Sequence, residues 1–201
     1  TRESRYQPTA KAYVEAGLGV DTNINAGLSS GAAPQVPGLG TLPAVSSNSI
    51  SAREQDTFLA ASAGVQGTYP VSPGVSLYGA GGVDARRHLG SNNDVFDQHS
   101  LGATGGVSYL KERNLYKAGA FLSQSWVDNQ SYVLSYGLNG EWNHQLDQFN
   151  RLTLGAQLAR FDYDDMYIYL TKDKTGGPVL SQATVRNSDF IGVSGAWAHA
   201  L

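Results

Sequence analysis

The chain has 201 residues, of which 41% are apolar and only 15% charged, with a net charge of −3 and no cysteine. That is enough chain for one sizeable domain. It excludes disulfides, thiolate metal sites and cysteine nucleophiles, and its near-neutral charge gives no footprint for a nucleic-acid partner.

No apolar run approaches the roughly 18 residues of a spanning helix, and the mean hydropathy is slightly negative at −0.28. Glycine, at 24 residues, is well above the roughly 7% average, and there are 11 tyrosines. A transmembrane β-barrel reconciles these numbers, because half of its residues face a polar lumen and dilute the hydropathy. The first residues, Thr1-Arg2-Glu3-Ser4-Arg5, are polar and no signal peptide is visible at them, so an outer-membrane chain is expected to start here after a removed signal or inside a longer precursor.

Residues 1–9 read as a polar lead-in. Strand one is expected over Lys11–Asn23, where Val14, Ala16, Leu18 and Val20 alternate with Tyr13, Glu15, Gly17, Gly19 and Asp21. Such period-two alternation marks a strand with one apolar and one polar or small face. Residues 24–52 hold Pro34, Pro37 and Pro43 among Gly, Ser and Ala, and read as a long mobile loop. Strand two is expected over Asp56–Tyr69, with Phe58 as the exception on its polar face, and Pro70–Gly74 closes it as a short turn. Strand three, Val75–His88, sets Leu77, Val83 and Ala85 against Tyr78, Asp84, Arg86 and His88. A polar loop, Gly90–Asp97, leads to strand four, Leu101–Leu110. Strand five, Leu115–Val127, follows the Lys111–Asn114 turn, with Phe121 breaking its alternation.

Strand six is expected over Ser131–Gln145 and strand seven over Arg151–Tyr163, with Leu146–Asn150 as a short turn. Residues 164–185 read as a second long loop, and strand eight covers Asn187–Leu201. Connections after strands two, four and six are short. Those after strands one, three and seven are long, and Asp128–Gln130 after strand five departs from the rule. The asymmetry predicts an antiparallel up-and-down transmembrane β-barrel over residues 1–201, in a bacterial outer membrane, with short periplasmic turns and both ends on that side. Tyr69, Tyr109, Tyr116 and Trp142 would form one aromatic girdle, with Trp126 and Tyr132 at the opposite rim. Many bacterial barrels end on an aromatic residue, whereas this chain stops at His199-Ala200-Leu201. We therefore expect part of a larger barrel rather than a closed eight-stranded one.

Asp21, Thr22, Asn23, Ile24 and Asn25 close the segment Gly17–Asn25. This segment resembles the first strand of barrel domains that follow tetratricopeptide repeats, above all in the surface lipoprotein assembly modifier (Slam) family. The resemblance implies a role in moving lipoproteins or secreted proteins to the cell surface. It implies outer-membrane lipids and such cargo as partners, and a periplasmic tetratricopeptide domain. Exopolysaccharide-export porins share the repeat-then-barrel plan and are the alternative, together with general porins. Without the resemblance, Asp21–Asn25 is a polar strand end entering a loop.

Glu15, Asp84, Arg86, Lys117 and Glu141 fall on polar faces and are the candidate lumen residues, either lining water or pairing with one another. A second alternative is a rim-site hydrolase. Asp97 and His99 are two apart, with Asp84 or His88 as possible third members. No nucleophile and orienting partner complete the set, and His99 and Ser100 point to opposite faces. Asp162, Asp164 and Asp165 are candidate cation ligands without EF-hand spacing. Gly79–Gly82 and Gly105-Gly106 lack the lysine and helix of a phosphate loop and read as sites of close backbone approach. No motif implies a cofactor.

Overall fold

The computed structural model describes residues 7–27, 35–36, 40–41 and 46–200. Eight long strands form one sheet. They are β1 (Thr9–Asp21), β4 (Asp56–Ser72), β5 (Val75–His88), β6 (Gln98–Lys111), β7 (Asn114–Val127), β8 (Gln130–Gln145), β9 (Asn150–Tyr163) and β12 (Ser188–His199). Two small hairpins lie in the long loops: β2 (Gln35–Val36) with β3 (Gly40–Thr41), and β10 (Met166–Tyr169) with β11 (Pro178–Ser181). The sheet order is β1-β4-β5-β6-β7-β8-β9-β12, with every neighbour antiparallel. This is the expected up-and-down meander, and the strand limits follow the alternation closely.

The sheet is not closed. β1 and β12 each have a partner on one side only, so the described residues form an open wall with two edges. The expectation of a mobile 24–52 loop falls partly on 28–34, 37–39 and 42–45, which lie outside the described residues, as do most of the lead-in and Leu201.

Cross-strand register turns the alternation into two faces. Val14, Ala63, Val83 and Leu101 form one row, and Ala120, Leu138, Leu158 and Ile191 another. This face is almost wholly apolar along its middle and fully open: Val14 is 83% exposed and Val193 85%. A soluble protein rarely leaves such a continuous apolar face uncovered. Tyr109 stacks on Tyr116 at 6.4 Å near the short-turn end, with Trp142 next in the row, as the girdle requires. At the loop end His99 stacks on Trp126 at 5.0 Å. Tyr132 sits at a bulge opposite Ser125 and Trp126, edge-on to Tyr163.

Turn chemistry sets the ends. Asp128 and Asn129 both take positive φ, which suits a tight two-residue hairpin and explains the short connection after strand five. In the Leu146–Asn150 turn, Asp147 Oδ1 accepts the backbone N–H of Phe149 and of Asn150, both at 2.8 Å.

The polar face carries most of the strand glycines, and aromatic rings lie over several of them. An added Cβ at Gly64 would stand 2.6 Å from the Tyr13 ring, and one at Gly106 would stand 2.6 Å from Tyr78 Oη. Phe58 and Phe121, the two breaks in alternation, occupy the same niche over Gly19 and Gly137. Large rings on this face are accommodated because the neighbouring strand offers no side chain there. At Gly137 an added Cβ would also meet the Leu158 carbonyl oxygen, whereas at Gly17 it would meet nothing. Gly137→Ala is therefore expected to destabilise by about 1–3 kcal/mol, and Gly17→Ala by less than about 0.5 kcal/mol. Urea unfolding of detergent-refolded protein checks this, and equal shifts at the two sites would contradict it.

Candidate functional site

The candidate site is the polar face together with the loop layer across one end of it. Register places Glu15, Ser62, Asp84 and Ser100 in one row, with Arg86 two residues beyond Asp84 on the same face. Ser100 Oγ donates to Asp84 Oδ1 at 2.7 Å. The Arg86 guanidinium lies 4.2 Å over the Phe58 ring and 4.0 Å from Asp21 Oδ2. Glu15, Asp84, Arg86 and Gln98 line an open hollow of about 450 Å³. Lys117 and Glu141 form a separate cluster toward the short turns. Their charges meet at 3.0 Å, and Glu141 also accepts from Asn143 Nδ2 at 2.6 Å. Asn143 Oδ1 takes the Thr153 hydroxyl at 2.6 Å, which carries the chain across three strands. The structure thus brings Glu15, Asp84 and Arg86 together and keeps Lys117–Glu141 apart, each partly satisfied by polar neighbours.

Asp21–Asn25 is a staple between β1 and its long loop. Asp21 Oδ1 accepts from Asn23 N at 2.9 Å, and Asn23 Oδ1 accepts from Gly27 N at 2.9 Å. Ile24 N donates to Glu54 O at 3.0 Å, and Arg53 Nε to Thr22 O at 3.0 Å. Asn25 Nδ2 reaches the carbonyls of Ile50 and Ala52. The residues that carried the resemblance gather the two ends of the loop over the rim of the sheet. Short Asp and Asn side chains are suited to this, because they can replace the backbone partners of a turn.

The loop layer is more ordered than the sequence suggested. Thr171 bridges to Ser49, Lys172 pairs with Glu54, and Lys174 Nζ lies 2.9 Å from Asp94 Oδ2 and 3.3 Å from Asp128 Oδ1. The loop after β9 thereby crosses to the loops after β1, β5 and β7. Beneath it Ile50, Phe96, Val127, Met166 and Ile168 line an apolar pocket of about 190 Å³. The sequence reading missed this latch, since its signal is only two lysines in a long loop, and their partners are remote in sequence.

The structure parts Asp97 from His99 and pairs it with His88 instead. Asp97 Oδ1 accepts from His88 N at 2.7 Å and lies 3.3 Å from His88 Nδ1. His88 is buried edge-on between Phe58 and Phe96, while His99 stacks on Trp126 on the apolar face. Asp97 precedes β6 and turns under the loop, so the spacing of two does not put it beside His99. The three acidic residues near the end of strand seven diverge as well. Asp162 takes Arg160 and the Tyr136 hydroxyl, Asp164 takes Ser131, and Asp165 takes Thr184.

With this geometry in view, comparison with protein families is decisive. The model of the surface lipoprotein assembly modifier family matches residues 11–174. The chain belongs to that family. The match takes in the Asp21–Asn25 staple, the sheet from β1 to β9 and the latch as far as Lys174. No curated protein and no solved structure matches the chain. The family is described by the assembly of lipoproteins at a surface.

The latch has a defined pH range. The Asp94 carboxylate, by its hydrogen bond, raises Lys174 above the ordinary lysine value, and Asp128 adds to this. The Thr171 and Thr175 side chains hold Asp173 well below the usual carboxylate range. A raised lysine contributes stability below its unfolded value that is lost as pH climbs through the folded one. A lowered aspartate contributes stability above its unfolded value that is lost as pH falls through the folded one. The latch is therefore expected to hold across the neutral range and to weaken only as pH falls below the ordinary aspartate value of 3.8 or rises above the ordinary lysine value of 10.5. Lys174→Met should speed hydrogen exchange over residues 166–181 about two- to ten-fold within that range. Unchanged exchange would show that the lysine does not hold the loop.

Proposed function

We propose that this chain forms part of the wall of a bacterial outer-membrane barrel that helps surface lipoproteins cross to the cell surface. The observation that carries this reading is the family match together with eight meandering strands that have one apolar and one polar face. In a bilayer the apolar face would meet lipid, and Glu15, Asp84, Arg86, Lys117 and Glu141 would line the lumen. Sheet edges cannot be left open in hydrocarbon, because no water is there to take their backbone groups. The open edges of β1 and β12 therefore call for further strands, which would make this sheet part of a larger barrel.

Cargo would approach from the short-turn side, where a periplasmic tetratricopeptide domain of the family plan would deliver it. The latched loops would stand on the cell-surface side. A polysaccharide-export or general porin would share the polar, glycine-rich face, but the family match favours lipoprotein cargo. Asp97 meets buried His88 and not His99, so the Asp97–His99 pair lends the rim-hydrolase reading no support.

Deletion of residues 9–199 from the gene is expected to remove surface lipoproteins from intact cells, as read by protease shaving, with restoration by the whole gene. Unchanged shaving in the deletion strain would overturn the proposal.

A further inference from the structure

Two tripeptides near the short-turn end repeat the same arrangement on the apolar face: Trp142-Asn143-His144 on β8 and Trp197-Ala198-His199 on β12. In each the tryptophan and histidine rings lie together, with centroids 5.6 Å and 6.0 Å apart. In each, histidine Nδ1 meets the side-chain oxygen of an asparagine at the start of the neighbouring strand. His144 meets Asn114 at 2.8 Å, and His199 meets Asn150 at 2.9 Å. These asparagines are the direct ladder partners of the two histidines.

The chemistry of the partners fixes the proton on each ring. Trp142 Nε1 can only donate, and it lies 3.0 Å from the same Asn114 atom, so that atom is the oxygen. Asn150 turns its other side-chain atom to both carboxylate oxygens of Asp147, at 3.0 Å and 2.8 Å, so that atom is the amide nitrogen. The Asn150 hydrogen bond is the largest of the influences that hold the Asp147 carboxyl below its ordinary value. Both histidines must then donate from Nδ1. In the neutral ring each Nε2 is left as a lone-pair acceptor beside an indole face. Among the described residues no protein group takes either Nε2.

From this we propose that the two Trp-x-His pairs are headgroup sites for a phospholipid that carries a primary ammonium. The inference rests on the reading of the apolar face as lipid-facing. A bare imidazole acceptor next to an electron-rich ring suits a cation that has N–H to donate: the ring face attracts the charge, and Nε2 takes a proton donor. A phosphate alone would find an acceptor where it needs a donor. At the first site Lys111, the ladder partner of Asn114, stands on the same face within reach of a headgroup phosphate. Indole and imidazole rings at the level of a membrane interface are placed where such headgroups lie.

The test uses the whole protein refolded into detergent micelles doped with equal amounts of phosphatidylethanolamine, phosphatidylcholine and phosphatidylglycerol, with retained lipids counted by native mass spectrometry. Phosphatidylethanolamine is expected to be retained at least about five-fold over either of the others, and His144→Phe with His199→Phe should abolish the preference while keeping the aromatic area. No preference in the wild type, or an undiminished one in the double variant, would overturn the proposal. The wild-type comparison stands alone if the variant does not fold. A parallel measurement separates the two readings: acyl-brominated phosphatidylcholine should quench tryptophan fluorescence whatever the headgroup. Quenching without headgroup preference overturns only the headgroup sites, whereas absence of quenching overturns the lipid-facing reading and the sites with it.

Discussion

The structure depends on the backbone ladder. Seven antiparallel pairings carry the N–H and C=O groups of eight long strands, and nearly every strand residue has a cross-strand partner. Once the backbone is paired in this way, a side chain needs only to suit the face it emerges on. On one face Val, Leu and Ala prevail along the middle of the wall, with Tyr and Trp toward its ends. On the other the ladder tolerates glycine, because tyrosine and phenylalanine rings from adjacent strands cover the exposed backbone. The same constraint makes the edges of β1 and β12 the two places where the described sheet is unfinished.

The fold was legible because it obeys a period of two. The alternation of Leu152, Leu154, Ala156 and Leu158 with Thr153, Gly155 and Gln157 gives the strand, its faces and, with its turns, its neighbours. The strand limits moved by only a few residues. Phe58 and Phe121 looked like errors in the pattern, and register resolves them: each lies over its direct ladder partner on the adjacent strand, Gly19 and Gly137, which no local reading reveals. The β10–β11 hairpin was lost inside a predicted loop because runs of four residues carry no measurable period.

The site was less legible, since its contacts are remote in sequence. Asp97 and His99 looked like a pair because strand geometry aligns residues two apart, yet Asp97 lies before the strand and His88 claims it. Lys174 spans 80 residues to Asp94 and 46 to Asp128. The family expected from Asp21–Asn25 is the one whose model matches, and in the structure these residues tie the end of β1 to its loop. The Trp-x-His repeat was present in the sequence, but only the ladder shows that each copy faces an asparagine.

The central claim is that the two faces of this sheet meet two different media. The chain has no cysteine, so single cysteines placed in turn along Leu152–Leu158 of β9 in the protein reconstituted into liposomes report each position alone. A membrane-impermeant maleimide added from both sides should label Thr153, Gly155 and Gln157 and spare Leu152, Leu154, Ala156 and Leu158. Labelling at all seven positions alike, or preferentially at the leucines, would contradict the account.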